Sequence, residues 1–170
     1  LYTRSFVRIS GEGERREAAS LSAVTNSRGI AKLSFTIPKK GHYILAVGAS
    51  DAAGNDTSAE TALWASGKSD SIELPFKNLT LKSSKDIYGV GDDAEILVMT
   101  PVSGGHIFVS CEGNRIFKYE TIKFAGNTYR YRVRITPAMS PNFSVSVVQF
   151  TGNEIYKSQI KVVAPPREKF

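Results

Sequence analysis

Residues 79–109, LTLKSSKDIYGVGDDAEILVMTPVSGGHIFV, decide how the rest of the chain is read. Leu79-Thr80-Leu81 is a short apolar strand, and Ala94-Glu95-Ile96-Leu97-Val98-Met99-Thr100 alternates at the period of two expected of a strand with one face in a core. Pro101 has no N–H to give a central ladder, so it marks a strand end or an edge. Val102-Ser103-Gly104-Gly105 then turns the chain into the apolar Ile107-Phe108-Val109. Between the first two strands, Gly89 and Gly91 allow the positive φ of a tight reversal, and Tyr88 is expected to bury its ring beneath the corner while its hydroxyl stays in water. Strand, glycine corner, strand, glycine-rich turn, strand: an antiparallel sandwich begins this way.

The pattern continues downstream. Residues 111–115 turn the chain, 116–121 form a strand, Gly126-Asn127 turn it again, and 129–135 and 142–150 are strands separated by a proline-bounded stretch, 137–141. Gly152-Asn153 and 160–163 complete about seven strands in one sandwich of immunoglobulin-like architecture. Upstream, residues 1–10 alternate loosely, and 11–19 are a polar connection. Leu21, Ala23 and Thr25 lead into the Asn26-Ser27-Arg28-Gly29 turn. Leu33, Phe35 and Ile37 face one way, with Lys32, Ser34 and Thr36 facing the other, so 31–37 is expected to be a strand. Tyr43, Leu45, Val47 and Ala49 make the next inward row, Asp51 to Asp56 the next turn, and 57–65 a last strand with Leu63 and Trp64. Gly67-Lys68-Ser69-Asp70-Ser71 is small and polar and reads as a linker. The chain is expected to be all-β, two antiparallel sandwiches in tandem.

Composition excludes several function classes. The net charge of +6 is spread over the 170 residues rather than blocked, which gives at most weak attraction to anionic surfaces. Cys111 is the single cysteine, so no disulfide forms within the chain. No apolar run approaches the roughly 18 residues of a membrane helix, and residues 1–4 do not form a signal peptide. Neither a GxGxxG nor a Walker phosphate loop occurs.

The residues Leu81, Lys85, Tyr88, Gly91, Asp92, Ala94, Ile96, Val98, Pro101 and Gly104 together resemble the opening of a macroglobulin-like domain, the repeated module of the alpha-2-macroglobulin family. That pattern runs as an apolar strand, D-K, Y-x-x-G-D/E, alternating apolar positions and S-P-x-x-G. Here Lys85-Asp86 exchanges the order of D-K, and Thr100-Pro101 replaces S-P. Upstream, T-x-x-x-G-x-A-x-L-x-F from Thr25 and G-x-Y-x-L-x-V-x-A-x-D-x-x-G-N from Gly41 resemble the second half of a bacterial macroglobulin-like or related immunoglobulin-like repeat. The expected organisation is a macroglobulin-like sandwich at 1–67 shortened at its N-terminus, a complete one at 68–164, and the start of a linker at 165–170.

What the resemblance implies is a non-catalytic structural fragment of a broad-spectrum endopeptidase inhibitor, a protease trap. Its partners would be neighbouring domains of the parent and, through the parent, target proteases. Its compartment would be extracytoplasmic: periplasmic and membrane-anchored through the parent in bacteria, or secreted. Neither bait segment, thioester nor anchor is recognisable in the chain. A tandem immunoglobulin-like adhesin or ligand-binding module is the alternative, since sandwiches host many functions.

Few residues invite chemistry. Cys111-Glu112-Gly113-Asn114 has the family's C-G-E-Q thioester letters in the wrong order and ends in Asn, one methylene short, so Cys111 is expected to be a plain strand residue. His42 and His106 lack a second ligand at metal or triad spacing. Asp51, Asn55 and Asp56 offer oxygens, but D-A-A-G-N-D reads as a hairpin tip rather than a calcium loop. No catalytic, cofactor-binding or metal residue is expected. In Tyr129-Arg130-Tyr131-Arg132-Val133-Arg134 the tyrosines face the core and Arg130, Arg132 and Arg134 face out. That separation removes the aromatic platform single-stranded nucleic acids need and leaves the arginines as a possible interaction surface, with neither nucleic acid nor membrane as its partner.

Overall fold

The computed structural model describes residues 4–11, 16–37, 39–72, 74 and 77–166, with the backbone alone described at 4–11, 16–18, 69 and 70. They fall into two compact units, Leu1–Ser66 and Gly67–Phe170. The expected polar tip at 11–19 lies outside the described residues at 12–15, and the expected linker at 165–170 does so from 167.

The first unit is built on one antiparallel sheet of β1 (Arg4–Gly11), β2 (Arg16–Ala23), β3 (Gly41–Ser50) and β4 (Asp56–Ala65), in the order β2-β1-β3-β4. Two of its reversals share one chemistry. Asn26 Oδ1 accepts from the N–H of Arg28 and Ile30, and Asp51 Oδ1 accepts from the N–H of Ala53 and Asn55. Each loop then closes on a glycine with positive φ, Gly29 at 74° and Gly54 at 84°, which a Cβ would strain. Tyr43 is buried among half-buried Leu21, Leu33, Phe35, Ile37, Leu45, Val47 and Leu63. The strand expected at 31–37 is absent. Its side chains alternate half-buried and exposed as a strand's would, but the segment lies over the sheet face and joins no ladder.

The second unit closes into a sandwich. One sheet, in the order β5-β10-β7-β6, contains β5 (Ser69–Asp70), β6 (Thr80–Ser83), β7 (Asp93–Met99) and β10 (Thr128–Arg134). The other, in the order β12-β11-β8-β9, contains β8 (Gly105–Glu112), β9 (Ile116–Phe124), β11 (Asn142–Thr151) and β12 (Glu154–Val163). Every ladder is antiparallel. Ile96, Val98, Tyr131 and Val133 of the first sheet meet Ile107, Val109, Phe143, Val145, Val147 and Val162 of the second in one core. Inward and outward residues alternate along β7 and β11, as sheet-on-sheet packing demands. Burying such aliphatic side chains contributes about 1.5–3 kcal/mol each before entropy is counted.

The stretch expected as a linker is in part an edge strand. Ser69 and Asp70 pair with Tyr129 and Thr128, and the Asn127 side chain bonds both the N–H (2.9 Å) and the carbonyl (2.7 Å) of Ile72. An amide side chain imitates a neighbouring backbone there. Composition does not reveal this, because its partner lies 55 residues away.

Candidate functional site

The corner between β6 and β7 explains the signature residues physically. Tyr88 is 2% exposed, and its hydroxyl is enclosed rather than wet as expected. Ser83 Oγ (2.8 Å), Ser84 Oγ (3.0 Å), the Lys85 N–H (3.2 Å) and the Glu95 carbonyl (3.3 Å) surround it. A ring that large in the core needs its polar end satisfied, and the Ser-Ser-Lys stretch supplies the partners. Gly91, at φ 95°, lets the chain reverse, and the Gly89 N–H donates to Asp92 Oδ2 at 3.0 Å. The Gly91 N–H donates to the Ile135 carbonyl and the Ile135 N–H to the Asp92 carbonyl, tying the corner to the end of β10. The Tyr88 N–H reaches the Val163 carbonyl, and Ile87 bridges Val163 in parallel, so the corner also seals one side of the sandwich. The motif builds structure and holds no reactive group.

Sequence reasoning missed a second buried network. Gln149 is fully buried on β11. It accepts from Thr100 Oγ1 and donates through Nε2 to the carbonyls of Gly104 (3.1 Å) and Val102 (3.5 Å). One side chain therefore fastens the turn that carries the chain from one sheet to the other. A lone glutamine at an inward position of a Phe/Val strand was the available signal, since a buried amide must have partners.

Each sequence candidate has a definite place. Cys111 is fully buried in the core, its Sγ 3.6 Å from Tyr131 Oη. Burial pushes the thiol's pKa up, and burial also raises that of the Tyr131 hydroxyl, with the Cys111 contact adding to it. A raised, enclosed thiol is a poor nucleophile. His42 stacks on Trp64 with ring centroids 4.0 Å apart, and His106 is exposed at the start of β8. Asp51 spends its oxygens on its own loop, including Asn55 Nδ2 at 2.8 Å, and these bonds lower its pKa, the Asn55 side chain most. Among the described residues no three His, Cys, Asp or Glu side chains gather in a metal-binding cluster.

The arginines of β10 do not stand as a bare cationic stripe. Arg132 pairs with Glu95 and Arg134 with Asp93 (3.4 Å), each directly opposite on β7. Arg130 is half-buried, and its N–H donates to the Lys68 carbonyl at 3.0 Å. These exposed pairs are worth about 0–1 kcal/mol each, so they shape the surface charge more than the stability. The face is mixed in sign, unsuited to a polyanion. On the outside of the β8–β9–β11–β12 sheet, Phe108, Tyr119, Phe150 and Ile155 are exposed, with the Phe108 and Tyr119 rings 6.2 Å apart.

Residues 79–169 match the family model described as the alpha-2-macroglobulin bait region domain, over half of the chain. The chain is similar to an alpha-2-macroglobulin of Ralstonia nicotianae, 27% identical over 169 residues, covering 88% of this chain and 10% of that protein. It is also similar to an alpha-2-macroglobulin homolog of a Nostoc species, 23% identical over 128 residues, covering 74% and 7%. The chain spans a tenth or less of the length of these relatives. The match carries a bait-region description where sequence reading found a macroglobulin-like module and no bait segment.

Proposed function

This chain belongs to the alpha-2-macroglobulin bait region domain family, and from that premise we propose that it is a non-catalytic section of a larger broad-spectrum endopeptidase inhibitor, a protease trap. The observation that carries the reading is the coincidence of the family match, 79–169, with a closed sandwich whose polar groups are spent on its own corners. From β6 to β12 the connections run nine residues or fewer, as suits a rigid support for a cleavable segment. In this reading 1–67 and 68–164 are two macroglobulin-like modules of an extracytoplasmic parent. Arg130, Arg132 and Arg134, with Glu95 and Asp93 opposite the last two on β7, form a polar surface for a neighbouring domain.

The test is made on the parent polypeptide, incubated with endopeptidases of unlike specificity. Trapping predicts that digestion of a large protein substrate falls sharply while a short chromogenic peptide is still cleaved. Unchanged digestion of the large substrate by every protease overturns the trap. Retention on glycan or cell-surface arrays in that case favours the adhesin alternative.

A further inference from the structure

The outer face of the β8–β9–β11–β12 sheet carries an apolar band that crosses all four strands. Phe150 stands directly opposite Ile155 and Val148 opposite Phe108, and the Phe108 ring lies 6.2 Å from that of Tyr119. Phe108, Tyr119, Phe150 and Ile155 are 40–68% exposed, and a contiguous band of this kind marks an interaction surface. Lysines flank it on the same side of the sheet: Lys157 faces Val148, Lys123 faces His106 and Lys161 faces Ser144. All three are exposed, and among the described residues none of them forms an ion pair. Of the carboxylates on these strands, Glu120 lies opposite inward-facing Val109 and pairs with Lys118, and Glu154 accepts from the Tyr156 hydroxyl. Glu112 shares the lysines' face, at its far end, and accepts from Ser110 Oγ. The charge of +6 attracts anionic surfaces weakly when averaged over the chain, but on this face cations gather around apolar side chains.

We infer that this face docks on an anionic phospholipid bilayer. Phe108, Phe150 and Ile155 enter the boundary between headgroups and acyl chains, and the Tyr119 ring lies at headgroup level. The lysine stems lie along the apolar band while their ammonium groups meet lipid phosphates. Charge complementarity favours this occupant over a second copy of the chain, since two such faces would set lysine against lysine. Another protein would need directional polar contacts, about one hydrogen bond per 100–200 Å² of interface. The band offers none, because the side chains of Phe108, Val148, Phe150 and Ile155 neither donate nor accept. A bilayer demands no such register. The inference does not rest on protease trapping, so the two fail separately.

Co-sedimentation of the 170-residue chain and of the parent polypeptide with vesicles tests it. Both are expected to bind vesicles of equal parts phosphatidylcholine and phosphatidylglycerol, and to bind phosphatidylcholine alone at least about tenfold more weakly. Lys123→Gln with Lys157→Gln weakens anionic binding by about 25-fold, at roughly fivefold per lysine. Phe150→Ser with Ile155→Ser weakens it by at least about tenfold at low and at high salt alike. Both pairs are exposed, so Cys111 stays as unreactive to a thiol reagent as in the unaltered chain. Arg132→Gln with Arg134→Gln, on the opposite sheet, leaves binding unchanged. An equal loss in that arginine variant reduces the attraction to net charge and overturns the inference. So does failure of the parent to sediment with the anionic vesicles, because another of its sections then covers the face.

Discussion

The two units begin from the same materials and finish differently. Each has antiparallel ladders and Asx or glycine corners, but among the described residues only the second unit places one sheet against another. There Phe143, Val145, Val147, Ile96 and Val109 are at most 1% exposed. In the first unit, among residues whose side chains are described, Tyr43 is the only buried apolar side chain, and it is still 6% exposed. Alternation alone therefore does not make a core. A sandwich core appears when both layers are hydrogen-bonded sheets, because a single unpaired segment cannot cover the width of four strands.

The difference is open to direct measurement, because each unit carries one unique reporter. Trp64, the single tryptophan, lies in the first unit and Cys111, the single thiol, in the core of the second. In the 170-residue chain, Trp64 fluorescence should change at lower urea than the concentration at which Cys111 becomes reactive to a thiol reagent. Truncations should cost the two units unequally. Phe143→Ala should destabilise the second unit by about 3–5 kcal/mol, read by Cys111 exposure, because its cavity is closed on every side. Leu45→Ala, at a half-buried site, should cost the first unit only about 1 kcal/mol by Trp64 fluorescence. Equal losses would mean that the first unit has a closed core after all.

Polar groups sharpen the contrast at smaller amplitude. Gln149→Leu keeps the volume but strands the Thr100 hydroxyl and the Gly104 carbonyl, so a loss of about 2–3 kcal/mol in the second unit is expected, again by Cys111 exposure. Tyr88→Phe leaves the ring in place and orphans the Lys85 N–H, for about 1 kcal/mol. If Gln149→Leu proves neutral, the link between the sheets is carried by apolar packing alone and the turn at 100–105 needs no fastening.

These polar fasteners mark where sequence reading stops. Strands, corners and the core alternation of β7, β10 and β11 were legible because period two and glycine position are local signals. The arginine stripe's outward direction was legible for the same reason, but its partners Glu95 and Asp93 were not, since they depend on the register between β7 and β10. Tyr88's enclosed hydroxyl, the amide bridge from Asn127 to Ile72 and the Gln149 network all join residues brought together only by the finished fold or its corners. The misreading at 31–37 has the same origin. Its pattern is that of a strand, but a strand also needs a neighbour, and no property of the segment itself reports one.

The smallest expected effect concerns the loop at the tip of β3 and β4. Asp51 accepts from two backbone N–H groups and from Asn55, and these bonds hold its pKa below the usual 3.8. A carboxylate whose folded-state pKa is depressed stabilises the fold above its unfolded value. That stabilisation is lost as pH falls through the lower, folded value. The first unit should therefore lose stability below about pH 3.8, visible as a shift in the Trp64 urea midpoint. Asp51→Asn should flatten this dependence without dissolving the loop, because Asn26 makes the same pair of backbone bonds with an amide oxygen. The Cys111 transition should not respond to the substitution. An unchanged pH dependence of the Trp64 midpoint in Asp51→Asn would assign the acid sensitivity to other carboxylates of the first unit and leave the Asx loop electrostatically neutral.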